Sequence, residues 1–182
     1  GDIIVKHMPK NTLILGVAEG FGASLIAPAH VTHTANKKIR LGSISQKVGE
    51  KKLENIVSTW RSAGLKTEIY ENIEQLVWEK LLCNVTLSGP CSMFGCNVKE
   101  LLNNKERWAF ALKCMQEAFS VGLAKGIPFS FNDPIEYVTD FAKRVGSAKP
   151  SMLQDFETKR KTEIDFINGA IPPIAAKYKT ST

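Results

Sequence analysis

The sequence has no apolar run long enough to span a bilayer. The nearest, Thr12 to Val31, is broken by Glu19, three glycines and Pro28, well short of the ~18 or more residues a membrane helix needs. Histidine is scarce, at three residues, and the four cysteines (Cys83, Cys91, Cys96 and Cys114) contain no CxxC pair. A metal site would have to be gathered from distant parts of the chain, and none is expected. His30 and His33 look like a ligand pair, but in an extended segment residues three apart face opposite ways. The cysteines fall inside apolar segments without a signal peptide, which reads as reduced core thiols in a cytoplasmic protein. Charge of one sign is only in modest excess, 24 Lys+Arg against 18 Asp+Glu for a net +6. The densest basic run, Lys159-Arg160-Lys161, sits between Glu157 and Glu163, so nucleic acid is not an expected partner. Internal repeats and low-complexity linkers are also missing. What remains is 182 residues at 43% hydrophobic, enough for one large or two small folded domains.

From Asp2 to Ser45 apolar residues come in short runs (Ile3–Val5, Leu13–Val17, Leu25–Ala27, Ile39–Ile44) separated by Gly and Pro. This pattern predicts strands with a short opening helix. Beyond Gly49 the period changes: Leu53, Ile56, Val57 and Trp60 line one helix face, with Gly64 as a stop. Leu65, Thr67 and Ile69 then alternate as a short strand. Asn72 with Gln75 opens a helix that Gly89-Pro90 is expected to end. Trp108, Leu112, Met115, Phe119 and Leu123 stripe the next, which stops at Gly126-Ile127-Pro128. Asn132-Asp133-Pro134 opens another, with Ile135, Val138, Ala142 and Val145 on one face and Gly146 after it. The last long helix is expected from Ser151, as N-cap, to Asn168-Gly169. Strands first and helices after predict an α+β chain whose boundary lies near Asn72, giving 1–71 and 72–182.

Chemistry concentrates in two places. On the helix from Ile73 to Ser88, Lys80, Asn84 and Ser88 form one stripe at about 100° per residue, among Ile73, Leu76, Val77 and Leu87. A helix this apolar is expected to be buried. Lys80 then either lines a cleft for a small polar molecule or snorkels or pairs with a structural carboxylate. The second place is the final helix. Ser151 reads first as an N-cap, and its helix end would also suit a carboxylate. Glu163 lies twelve residues on, roughly 18 Å of helix rise, which would suit a larger cofactor. Gly20-Phe21-Gly22 fails as a dinucleotide loop, because Leu25 occupies the third glycine position; it reads as a glycine-permitted strand end.

Trp78-Glu-Lys80-Leu-Leu-Cys-Asn84, followed by Lys149-Pro-Ser151-Met-Leu-Gln-Asp155 and Thr162-Glu163-Ile-Asp165-Phe-Ile-Asn168-Gly169, resembles the ketopantoate reductase (2-dehydropantoate 2-reductase) family. Gly22-Ala-Ser-Leu-Ile-Ala-Pro28-Ala-His30-Val and Ile39-Arg-Leu-Gly42 are similar to the late strands of that family's nucleotide domain. The resemblance implies the last strands of a Rossmann-type NADP-binding domain followed by an all-helical domain of the 6-phosphogluconate dehydrogenase C-terminal type. It implies NADPH-dependent reduction of 2-dehydropantoate to pantoate, in pantothenate and coenzyme A synthesis, in a cleft between the domains. It gives Lys80 as the catalytic proton donor, Asn84, Ser88 and Ser151 as substrate contacts and Glu163 as a cofactor contact. Ser88 stands where many members carry a second asparagine.

The alternatives are a reductase of another small 2-keto acid and a non-catalytic helical interaction module. The partner implied is a small 2-keto acid, with a homodimer as the candidate assembly. Gly1-Asp2 without Met, and the polar Lys177–Thr182 after an apolar segment, lead us to expect a piece of a longer chain. Without the glycine-rich first turn, that piece is expected to be inactive alone.

Overall fold

The computed structural model describes Ile4, His7, Leu13–Ile44 and Val48–Thr182. The Ile3–Val5 run and the opening helix lie outside the described residues, apart from Ile4. Two compact units divide the chain, Gly1–Val77 and Trp78–Thr182.

In the first unit the short apolar runs merge into two long strands, β1 (Ile14–Ala27) and β2 (His30–Ser43), paired antiparallel. Gly20-Phe21-Gly22 is therefore not a strand end. It lies inside β1, with Gly20 at φ 58° and a register shift after Gly22, because a bulge absorbs the glycine conformation without ending the ladder. Pro28-Ala29 closes the hairpin, with Ala29 at φ 60°. Helix α1 (Glu50–Ser62) follows, and β3 (Thr67–Ile69) pairs parallel with β2. Gly64 ends α1 at φ 83° as expected. Thr67 is buried, whereas Ile69 is exposed, so the alternation in this strand is not purely apolar-inward. Leu41, Leu53 and Val57 form one small core, and Val17, Ile73 and Leu76 another.

Helix α2 (Ile73–Phe94) begins where Asn72 accepts the Gln75 N–H at 3.2 Å. It does not stop at Gly89-Pro90. Pro90 is fully buried inside the helix, and burial of Leu87, Cys91 and their neighbours outweighs the lost ladder bond. Helices α3 (Val98–Asn103), α4 (Lys105–Ala124) and α5 (Pro134–Val145) complete the middle of the second unit. The inner face of α4 is Ala111, Met115, Ala118, Val121 and Gly122, while Leu123 is exposed. Small residues let neighbouring helices approach, and the large ones pack beside that seam. Helix α5 matches its sequence signals: Asp133 accepts the Ile135 and Glu136 N–H groups, and Gly146 follows at φ 64°. Ile135 is exposed, leaving Val138 and Ala142 as its buried pair.

The expected long last helix is broken. Helix α6 is seven residues, Ser151–Glu157, and ends where Lys159 takes φ 56° and Arg160 folds back on Asp155. Two single 3-10 turns, Ile164–Phe166 and Asn168–Ala170, lead to α7 (Ile171–Tyr178). The second unit is built on two larger cores, one around Trp78, Leu82, Val85, Met115 and Val121, the other around Leu87, Cys91, Leu101 and Leu153. No helix among the described residues is long and apolar enough to cross a membrane.

Candidate functional site

Helix α2 carries the polar stripe, and its exposure is graded along the helix. Lys80 is exposed, Asn84 half-buried and Ser88 buried at 5% exposure. The expectation of a lysine at the centre of a buried helix is corrected: the apolar faces of α2 are buried, but the Lys80 face opens to solvent. Its neighbour Glu79 is the buried acid, at 4%, and accepts the Ser130 N–H at 2.8 Å. That bond ties α2 to the segment between α4 and α5.

Ser151 is exposed and occupies the first turn of α6 rather than its cap. The N-cap is Pro150, with no side-chain cap bond. The Gln154 side chain reaches back to the Lys149 carbonyl instead, at 2.9 Å. Helix α6 is too short for a strong terminal dipole, so a helix-end carboxylate site falls away and Ser151 offers only its hydroxyl. The next two residues anchor it: Met152 and Leu153 are buried, in the same clusters as Leu82, Val85 and Leu87 of α2. Glu163 is exposed at the start of the first 3-10 turn, where its carbonyl accepts the Phe166 and Ile167 N–H groups. With the helix broken, the 18 Å rise between Ser151 and Glu163 no longer applies. Asn168, five residues on, donates from Nδ2 to the Val85 carbonyl at 3.0 Å. The α6–α7 segment is thus brought to the stripe on α2.

Two surface pockets, of about 410 and 360 Å³, are lined by α5 residues with Phe131 and Asp133, and by Lys99 and Lys143 with their neighbours. Neither includes Lys80, Asn84, Ser88, Ser151 or Glu163. Two of the three acids of the first are already engaged: Asp133 caps α5 and Asp140 pairs with Lys143 at 3.1 Å. Burial pushes the Cys83 and Cys91 thiols up to about 12, and burial raises Cys114 too, so all three stay protonated at neutral pH. No group of three or more potential metal ligands occurs among the described residues.

A dinucleotide needs a glycine-rich turn opening onto a helix N-terminus. The strand-helix-strand unit here, β2-α1-β3, enters α1 through Gly49 followed by Glu50, an acid in the first turn, which repels a pyrophosphate. Gly20 and Gly22 lie within a hairpin strand. The described residues therefore do not fit the pyrophosphate of a nicotinamide cofactor.

Residues 72–182 match the family described as ketopantoate reductase PanE/ApbA C terminal. The chain belongs to this family. It is 28% identical to a 2-dehydropantoate 2-reductase of Streptococcus pyogenes serotype M6, over all of this chain and 59% of the relative. It is 29% identical to that of Aquifex aeolicus, over 89% of this chain and 54% of the relative. The chain thus spans a little over half the length of these relatives. Among solved structures, a D-mandelate dehydrogenase with NADH and anilino(oxo)acetate superposes at TM-score 0.82 and 25% identity, covering all of this chain and 59% of that one. The relatives are oxidoreductases by name, and a 2-dehydropantoate 2-reductase of Geobacter metallireducens shares the fold, at TM-score 0.86 and 23% identity over 99% of this chain and 60% of that one.

Proposed function

We propose that the full-length protein containing this chain reduces 2-dehydropantoate to pantoate with NADPH, and that this chain supplies the substrate side of the reaction. The observation that supports this reading is the graded stripe of α2, solvent-open Lys80 to half-buried Asn84 to buried Ser88, in a chain of the ketopantoate reductase family. A ligand lying along it meets a solvent-exposed cation at one end and more buried hydrogen-bonding groups at the other.

Each group has a task that its chemistry allows. The Lys80 ammonium gives a proton to the keto oxygen, where negative charge develops, and so acts in the transition state. Asn84, Ser88 and the exposed Ser151 hydroxyl bind and orient the hydroxylated acid. Glu163 is the cofactor contact in this reading. The hydride is the cofactor's contribution, and no described residue of this chain supplies it.

A second reading, reduction of another small 2-keto acid, is favoured by one residue: Ser88 is shorter than asparagine and leaves more room at the buried end of the stripe. The likeness to a D-mandelate dehydrogenase points the same way. The test is a panel of 2-keto acids with NADPH and with NADH on the full-length protein, wild type and Lys80→Ala. On the best substrate Lys80→Ala is expected to lower kcat by roughly 10²–10⁴-fold, with cofactor affinity little changed. A Lys80→Ala enzyme within twofold of wild type would exclude the proton-donor role, and a panel without turnover would exclude both readings.

A further inference from the structure

We propose that Asn168 is a positioning residue: its side-chain amide latches the turn segment that carries Glu163 onto the stretch of α2 that carries Asn84 and Ser88. The latch itself is geometric. Only its effect on turnover rests on the reductase reading above.

The bond crosses 83 residues of sequence, from Asn168 Nδ2 to the Val85 carbonyl at 3.0 Å. Val85 sits on α2 directly after Asn84 and three residues before Ser88. The other half of the amide is stranded: Asn168 Oδ1 is buried with no hydrogen-bond donor among the described residues. It lies against Gly89, where a Cβ would come within 2.6 Å of it. Only a glycine, presenting a Cα–H to that oxygen, lets the amide reach Val85. A mid-helix glycine and an unsatisfied buried oxygen are each locally unfavourable. That they meet at one contact marks a place where geometry is kept at the expense of stability.

The two parts joined both need an external tie. On α2, Pro90 has no N–H for the Thr86 carbonyl, and Thr86 and Ser92 bond back to the Leu82 and Ser88 carbonyls at 2.6 and 2.8 Å, a pattern that loosens or bends a helix. A tie to Val85 therefore fixes the direction of the stripe. The α6–α7 segment has only two 3-10 turns of regular structure. Buried Ile167 and the Asn168 amide hold it down, while Glu163 and Ile164 are exposed. The Asn168 amide is thus a direct hydrogen-bonded tie between the segment that carries Glu163 and the stretch of α2 that carries Asn84 and Ser88.

The experiment compares wild type, Asn168→Ala, Asn168→Asp, Gly89→Ala and the Gly89→Ala/Asn168→Ala double variant, all in the full-length protein. One arm needs no enzyme activity: trypsin cleavage at exposed Lys159-Arg160-Lys161 and amide exchange over Asn84–Ser88. Each single variant is expected to accelerate both, and the double variant to be no worse than Asn168→Ala alone, since the clash vanishes with the amide. The second arm is kcat on the best 2-keto acid, expected to fall roughly tenfold or more per folded molecule with a smaller change in KM, because misalignment is felt in the transition state. Asn168→Asp adds a signature that lost packing would not produce. Its ionised carboxylate faces the Val85 carbonyl and repels it, and protonation restores a donor, so the kcat ratio to wild type should recover as pH is lowered through the raised pKa of a buried acid. Wild-type cleavage and exchange in Asn168→Ala, or an additive double variant, would overturn the latch. A normal kcat with faster cleavage, or a pH-independent Asn168→Asp ratio, would overturn the positioning role. If the wild type reduces no keto acid, the reductase reading and the positioning role fall together, and the first arm still decides the latch.

Discussion

The two units of this chain are held together by different means. The second is packed around side chains that lose all contact with water: Leu82, Leu101, Met115 and Val138 are each 0% exposed. The first rests on two small apolar clusters, a long hairpin and ion pairs across its strands, Arg40 with Glu19 at 2.8 Å and Lys38 with Glu68 at 2.9 Å. Toward the hairpin end Leu25, Ile26 and Val31 are 71%, 62% and 57% exposed. Strand ladders tolerate such exposure because backbone hydrogen bonds hold them, whereas a helix pair has little else than its packed faces. The proposed site residues lie in the packed unit, where a misplaced helix is costly.

The widest contrast is expected from matched truncations. Leu82→Ala removes a fully buried side chain and should destabilise the second unit by ~2–5 kcal/mol. Leu25→Ala should change stability by no more than about 0.5 kcal/mol. Denaturant titration of both variants checks the pair, and comparable losses would erase the distinction between the units.

One position in the first unit should behave like the second. A Cβ on Gly42 would collide with the Tyr70 carbonyl and lie 2.6 Å from Ile73 Cβ. Neither atom is the free end of a flexible side chain, so the backbone must move. Gly42→Ala is expected to cost about 1–3 kcal/mol, as overpacking does. The same substitution at Gly49, whose Cβ would meet nothing within 4 Å, is the control.

The legibility of the sequence followed the same division of forces. Helix α5 was readable from both ends, because Asp133, Pro134 and Gly146 act locally. Helix α1 and its Gly64 stop were readable for the same reason. Where tertiary packing overrode local preference, the reading failed. Gly89-Pro90 is a stop signal by itself, yet α2 continues because Pro90 and Cys91 are buried. Of the α4 stripe read from large apolar side chains only Met115 is on the inner face; Ala111, Ala118, Val121 and Gly122, smaller residues, make up the rest of it and are passed over by such a search. Lys159 enters the left-handed region without being glycine, so nothing in the sequence announced the break after Glu157. The stripe of Lys80, Asn84 and Ser88 was legible as a stripe; its gradient of exposure was not, since that depends on neighbours far along the chain.

That break sharpens a smaller prediction. As an N-cap, Ser151 would have contributed about 1 kcal/mol to stability. In the first turn of α6, exposed and without a cap bond, it should contribute no more than about 0.5 kcal/mol. Ser151→Ala is therefore a clean probe: its thermal midpoint should stay at the wild-type value, and any rise in KM for a 2-keto acid reports a substrate contact rather than a damaged fold. A substantial drop in midpoint would restore the capping role.

The smallest expected effect tests whether ion pairs add to the first unit at all. Glu68 of β3 takes two bonds from the Lys38 ammonium, at 2.9 and 3.0 Å, and faces Arg40 Nε at 3.5 Å. The Lys38 hydrogen bond, with Arg40 behind it, holds the Glu68 carboxyl below the usual carboxylate range. A folded-state pKa below the unfolded value means that the contribution is present above the unfolded pKa and is lost as pH falls through the folded one. Glu68→Gln should therefore lower the thermal midpoint slightly at neutral pH, and the difference from wild type should shrink as pH falls below the ordinary carboxylate range. Both partners are partly solvated, so the difference should be small and should shrink further in ~1 M salt. Amide exchange at Ile39 and Leu41, whose backbones pair with β3, gives a local readout of the same effect. A Glu68→Gln midpoint that tracks wild type across the whole pH range would show that the ladder alone holds β3, leaving the Glu68 ion pairs without a share in stability.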